Sequence, residues 1–372
     1  MFARQTGARA KPARPLWSAS QRDALVIVST VSLRNIRSYA RLDLNLEPGL
    51  VLVVGANGAG KTNLLESLHV GTQGFSPRTR ADAQLVRFGE QVGRIALRGV
   101  RRDTKVELEV TLALGEGKRA KLNGAALPAA EQLRSEVATL VFTPDRLAVV
   151  KGGPAVRRAY FDRVLGRLFP ARAGTPQDYA ATLAQRNAAL RRVHFGLAPA
   201  ESLEPWTERI AALAAALVDE RRSTLAALAP PFAERADELG LPAARLGYDA
   251  VAPTAADLEA RLARDLERGT TGLGPHLDDV LIASGDRDLR QYGSQGEQRL
   301  AVLSLLLAEA ELLPTSPLLL LDDVLSELDL GRRRVLAERV AGMGQTMITA
   351  THASALPIDP AQLVEVEHGS AR

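Results

Sequence analysis

The sequence predicts an α/β fold: a mixed sheet with flanking helices and an antiparallel β-subdomain, interrupted by a helical lobe and without a long coiled coil. Three observations predict it. The β-branched run GLVLVV passes directly into a glycine-rich turn and an amphipathic stretch ending at Val70, in the order strand, loop, helix. Two blocks, SYARLDLNL and VGRIALRGVRRDTKVELEVTLAL, alternate apolar and polar residues as half-buried strands do. Beyond Lys151 the composition shifts to Ala, Leu, Arg and Glu, with helical spacing through Arg268.

Taken in order, residues 1–24 carry Arg4, Arg9, Lys11, Arg14 and Arg22 against the single acid Asp23 and show no apolar periodicity, which reads as a disordered basic tail. LVIVSTVSL and SYARLDLNL follow as a plausible strand pair. Residues 92–114 read as a hairpin that EGKRAKLNG extends, closing a first β-rich segment over residues 25–150. Residues 151–269 form the helical lobe, where Leu203, Trp206, Ile210, Leu213 and Leu217 recur at steps of three and four on one helical stripe. Residues 270–372 return to alternating strands and helices, with LLLLDD and TMITATH as buried strands.

Composition narrows the function. A chain of 372 residues that is 46% hydrophobic can bury a substantial core. With no cysteine it has no disulfide, thiolate metal site or cysteine nucleophile, consistent with a cytoplasmic protein. No apolar run approaches the roughly 18 residues that span a bilayer. Arginine supplies 41 of 47 basic groups, and its planar fork suits phosphate. Between Asp145 and Arg192 ten basic residues face three acids, whereas residues 200–270 hold eight against thirteen. The first segment is where a polyanion would sit, with Arg157, Arg158, Arg191 and Arg192 as candidate contacts.

The motif with the most chemistry is Gly55-Ala56-Asn57-Gly58-Ala59-Gly60-Lys61-Thr62, a G-x-x-x-x-G-K-[ST] loop after a strand and before a helix. Its glycines let backbone N–H groups wrap phosphates, Lys61 is placed to bridge the β- and γ-phosphates, and Thr62 to offer its hydroxyl to Mg²⁺. ATP and Mg²⁺ are the expected ligands. Such a loop needs a second strand ending in carboxylates; Asp322 is the candidate metal ligand and Asp323 the candidate polariser of the attacking water. His352, ending TMITATH, is a candidate donor to the γ-phosphate. A second anion-friendly helix start is Ser294-Gln295-Gly296-Glu297, preceding LAVLSLLLAEAELL.

In order, GANGAGKT, SQGEQ, LLLLDD, SELD and the late histidine resemble the Walker A, signature, Walker B, D-loop and switch histidine of the ATP-binding-cassette (ABC) superfamily. The resemblance implies a P-loop ABC-ATPase head in which Ser294, Gly296 and Glu297 of one subunit meet nucleotide held by another. LRNIRSY, KGGPAVRRAYFD, QRNAALR and GPHLDD narrow it to the RecF family of bacterial recombination-repair ATPases, over residues 26 to about 365. That family implies a weak DNA-dependent ATPase forming an ATP-dependent homodimer on double-stranded DNA and at ss/ds junctions. It also implies partnership with RecR, acting with RecO, in recombinase loading, replication and the SOS response. Asp323 stands where most cassette ATPases carry glutamate, and Asp145 of VFTPDRLA where they carry the Q-loop glutamine. The energy subunit of a membrane transporter is the alternative. Its signature would follow the P-loop far sooner than the 239 residues from Gly55 to Ser294.

Overall fold

The computed structural model describes residues 26–101 and 104–372; the expected tail over residues 1–24 lies outside the described residues. Its centre is a six-stranded sheet. Strands β1 (Val26–Ile36) and β2 (Tyr39–Asn45) pair antiparallel, as the alternation predicts, and lead into β3 (Leu50–Val54). Helix α1 (Lys61–Gln73) follows the glycine-rich loop. The hairpin of β4 (Val92–Arg101) and β5 (Thr104–Ala113), with β6 (Gly117–Leu122) and β7 (Ala125–Leu127), joins β1 and β2 in an antiparallel sheet ordered β2-β1-β4-β5-β6-β7.

Strand β8 (Thr139–Phe142) is followed by helices α2 (Pro154–Leu168), α3 (Thr175–His194) and α4 (Glu204–Glu238). On α4 the buried line is Thr207, Ile210, Ala214 and Leu217, while Trp206 and Leu213 sit half-buried beside it. The stripe predicted from apolar residues alone is thus rotated slightly toward α3, where Thr207 accepts from Arg186 and Ala214 packs in one cluster with Tyr179. The helical stretch is also interrupted. Strand β9 (Ala244–Gly247) pairs with β10 (Leu281–Ser284), which pairs with β11 (Arg287–Asp288), so this small sheet bridges residues on both sides of position 269. Between β9 and β10 lies the short helix α5 (Leu262–Arg268).

Helix α6 (Gln295–Leu312), β12 (Leu318–Leu321), α7 (Leu330–Ala341), β13 (Thr346–Ala350), β14 (Gln362–Glu367) and β15 (Ser370–Ala371) complete the chain. The central sheet runs β15-β14-β3-β13-β12-β8, and the strands from β14 to β8 are all parallel. Its apolar runs serve two cores. Leu50, Leu52, Leu319, Leu321 and Ile348 pack with α6, α2 and α4, while Val51, Val53, Leu318, Leu320 and Met347 pack with α1 and the antiparallel sheet. A strand buried on both faces needs no polar alternation, which is why LLLL reads as it does. Helix α6 is buried from Gln298 to Ala310, matching its unbroken apolar sequence.

Candidate functional site

Parallel topology gathers the predicted residues at one sheet edge. The loop Gly55–Thr62 follows β3, His352 follows β13, Asp322 and Asp323 follow β12, and Asp145 follows β8; these four strands are neighbours in that order. Their carboxyl ends form the edge where open α/β sheets bind ligands.

At Gly60 the backbone has φ of +119°, and a Cβ would meet the Ser38 hydroxyl at 2.9 Å. At Gly55 a Cβ would come within 2.3 Å of the Val366 carbonyl. Both positions therefore require glycine. Lys61 Nζ donates to the Gly55 and Ala56 carbonyls at 2.6 and 2.9 Å, arching over its own loop. Ala56, Asn57 and Gly58 are exposed at its crest, and Ala59 is buried beneath.

The start of α1 differs from those of α6 and α7. Ser294 and Asp329 cap the latter two with their side chains, whereas α1 begins at Gly60 with no side-chain cap and no acid in its first turn. Uncapped N–H groups and the positive end of the helix dipole leave this terminus fitted to an anion. The residues fit a nucleotide triphosphate.

Asp322 is buried and accepts at Oδ1 from the hydroxyls of Thr62 at 3.1 Å and Thr349 at 2.8 Å. Thr349 in turn accepts from the Asp323 N–H at 2.8 Å. Burial raises the Asp322 pKa above the usual carboxylate value, the two hydroxyls opposing it and Asp323 adding to it. Desolvation lowers Lys61, against the pull of Asp322 and Asp323. Among the described residues no group of three or more His, Cys, Asp or Glu forms a metal cage. One hydroxyl and one buried acid suit Mg²⁺, which keeps its remaining positions for water and phosphate oxygens.

Asp323 is exposed and left-handed, with φ of +49°. His352 is exposed, and its ring makes no hydrogen bond among the described residues. Ser294 and Glu297 form a capping box: the Ser294 hydroxyl accepts from the Glu297 N–H at 3.2 Å, and the Glu297 carboxylate from the Ser294 N–H at 2.8 Å. The Ser294 N–H and Arg287 hold the Glu297 pKa below its usual value. Ser294 and Gly296 are exposed at the start of α6, and among the described residues the Ser294 hydroxyl bonds only to Glu297, not to the loop or the acids.

Sequence reasoning missed a supporting wall. Tyr39 is fully buried and donates its hydroxyl to the Gly60 carbonyl at 3.0 Å. Arg37 grips Glu66 of α1 through two bonds of 2.9 Å, and Ser76 and Arg78 meet the same carboxylate. Beside them a cleft of about 580 Å³ is lined by Arg37, Ser38, Asn63, Arg78, Arg87 and Phe88, a size usual for small-ligand sites. The only sequence signal was LRNIRSY, which holds Arg37, Ser38 and Tyr39.

Charge counting also misassigned one candidate DNA contact. Arg157 is buried and bonded to Asp279 at 2.6 and 2.5 Å, so it is unavailable to a polyanion. Arg158 is half-buried and donates to the Asp278 carbonyl, whereas Arg191 and Arg192 are exposed. KGGPAVRRAYFD and GPHLDD thus meet in space, Arg157 holding the Asp279 carboxylate and Arg158 the Asp278 carbonyl, while Arg186 of QRNAALR, fully buried, holds Asp265 and Thr271.

Comparison with known proteins accords with this geometry. Residues 27–369 match the family described as the RecF/RecN/SMC N-terminal domain. The chain is 37% identical to the DNA replication and repair protein RecF of Heliobacterium modesticaldum, over 90% of this chain and 95% of that one. With the same-named protein of Frankia alni the figures are 36%, 88% and 94%. A solved structure of the recombination mediator RecF with ATP, in the RecFOR pathway, superposes with a TM-score of 0.82 at 26% identity, covering 94% of this chain and 98% of that one. An Smc head domain from Pyrococcus furiosus, at 16% identity and a TM-score of 0.60 over 94% and 96%, shares the fold. These relatives favour the repair-ATPase expectation over a transporter subunit. Among the described residues no helix is long and apolar enough to cross a membrane.

Proposed function

The chain belongs to the RecF family of DNA replication and repair ATPases, and from that premise we propose that it is a DNA-binding ATPase of recombinational repair whose dimerisation is switched by ATP. Two copies close on duplex DNA at single-strand gaps, help RecO and RecR load recombinase, and separate on slow hydrolysis.

The observation that carries this reading is the contrast between two helix starts. One, at Gly60, is uncapped beside Lys61 and the Thr62–Asp322 pair; the other, at Ser294, is capped by its own side chain, exposed and not bonded to the loop or the acids. A Cβ on Gly296 would meet nothing nearer than the Ser294 hydroxyl at 3.9 Å, so packing within this chain does not require glycine there. Glycine in a helix is less favourable than alanine, by up to about 1 kcal/mol in the interior. An approach from outside, by nucleotide bound to a second copy, accounts for it.

Within the site, Lys61 and the uncapped N–H groups bind the phosphates. Thr62 and Asp322 hold Mg²⁺, which neutralises developing phosphate charge. Thr349 fixes the Asp322 carboxylate and, through the Asp323 N–H, the turn that aims Asp323 at water. His352 donates to the γ-phosphate. The cleft along Arg37, Ser38 and Arg78 receives the nucleoside.

Sedimentation with ATP, ADP or neither, with and without duplex DNA, tests the reading. ATP alone is expected to double the mass, and DNA affinity to fall steeply with salt. A protein that stays monomeric in ATP, or a salt slope near zero, contradicts it.

A further inference from the structure

Most buried arginines among the described residues are matched by acids: Arg157 by Asp279, Arg186 by Asp265, Arg221 by Asp162 and Arg235 by Glu238. One cluster departs from that pattern. Arg146, in the turn Pro144–Leu147 after β8, lines a small cavity with Leu140, Tyr160 and Glu309. Arg167 of α2 donates to Glu309 at 2.6 Å, and the Tyr160 hydroxyl lies 3.4 Å from the other oxygen of that carboxylate. Arg163 is exposed one turn earlier on α2, about 6 Å along the helix axis from Arg167.

Of the three guanidinium groups Arg167 alone bonds the Glu309 carboxylate, which leaves the cluster an excess of two positive charges. The Arg146 and Arg163 guanidinium groups have no hydrogen bond or ion pair among the described residues. Burial, with repulsion from Arg167 and Arg163, pulls the Arg146 pKa down to about 10. An uncompensated, half-buried cation is unfavourable unless an anion completes it.

We propose that Arg146, Arg163 and Arg167 form a notch that takes a backbone phosphate of duplex DNA. The proposal rests on the DNA-binding reading above and assigns it a place. Guanidinium forks match phosphate oxygens in pairs. Basic residues flank the notch along the chain: Lys151 and Arg172 are exposed just before and just after α2, and Arg172 stacks on Phe169 at 5.2 Å. The single acid between Arg146 and Arg172 is Asp162, already held by Arg221 at 2.8 and 2.9 Å. Exposed cations spread along that stretch of chain suit a polymer of phosphates better than a lone ion. Arg157, inside the same stretch of sequence, faces Asp279 instead and is outside the notch.

The test measures binding of the full chain, with ATP, to a labelled duplex of mixed sequence between about 50 and 200 mM salt. Wild type is compared with Arg163→Gln, Arg146→Gln and the double variant. The plot of log affinity against log salt should flatten by about one for each arginine removed, about two in the double variant, equally for unrelated sequences. Arg163 is exposed and unpaired, so Arg163→Gln keeps the fold, and thermal melting verifies it. A steep wild-type slope that survives in both single variants overturns the notch alone. A flat wild-type slope overturns the DNA-binding reading beneath it. Competition by inorganic phosphate at millimolar concentration with an unchanged DNA slope would reassign the notch to a free anion, and competition by polyglutamate alone would reassign it to an acidic protein; either result contradicts the proposal.

Discussion

Lys61→Ala is expected to weaken ATP binding at least ~100-fold, a loss of about 2.7 kcal/mol in a site where each aimed donor is worth that much. Three facts set the size. The ammonium is half-buried and held by the Gly55 and Ala56 carbonyls at 2.6 and 2.9 Å, so its position over the loop is fixed before nucleotide arrives. It is the one side-chain cation within Gly55–Thr62. It also lies within reach of the charges of Asp322 and Asp323, which pull its pKa up against desolvation. Alanine removes the cation and leaves two carboxylates facing a polyanion, a like-charge arrangement that Mg²⁺ alone offsets only in part. Calorimetric titration with ATP measures it. Affinity retained within about threefold of wild type would remove Lys61 from the phosphate site.

The second large effect is expected at the other helix start. Ser294→Arg should leave ATP affinity of the single chain unchanged while abolishing ATP-induced dimers. The side chain is exposed, so arginine clashes with nothing inside its own chain. Losing the hydroxyl that accepts the Glu297 N–H destabilises the start of α6 by about 1 kcal/mol. That is small beside the burial of α6 from Gln298 to Ala310. Ser294→Asn, which can still cap, separates the two effects: it should keep thermal stability and lose only part of dimerisation. Light scattering in ATP reads the outcome, and dimers of the arginine variant at wild-type concentration dependence would show that Ser294 is not at the interface.

How much of this was legible in the sequence depended on whether the signal was local. GANGAGKT after a β-branched run, LLLLDD and SQGEQ each specify a strand end or helix start within a few residues, and each stands where the pattern placed it. The parallel order that aligns β3, β13, β12 and β8 was not legible, because it is set by pairing between segments as distant as Leu50 and Thr346. Tyr39 was read only as part of a strand; its bond to Gly60 exists because the edge of the antiparallel sheet packs on the loop. Thr349 was read as an apolar-strand residue, yet it orients both acids. Arg157 shows the opposite failure. A count of charges along the chain is blind to Asp279, which folding brings from 122 residues away. The four residues of β9 carry no alternation long enough to oppose the helical composition around them, and their strand form comes from pairing with β10.

The central claim is that one nucleotide is held by the loop of one copy and the Ser294 turn of another. Mixing Lys61→Ala with Ser294→Arg tests it most directly. Each variant alone lacks one half of every shared site, so neither should dimerise or hydrolyse ATP. In a mixed dimer, the intact loop of the Ser294→Arg chain faces the intact Ser294 turn of the Lys61→Ala chain, which restores one complete site of two. ATP-dependent heterodimers with recovered hydrolysis are the predicted result; a mixture as inert as its parents would contradict a site shared between copies.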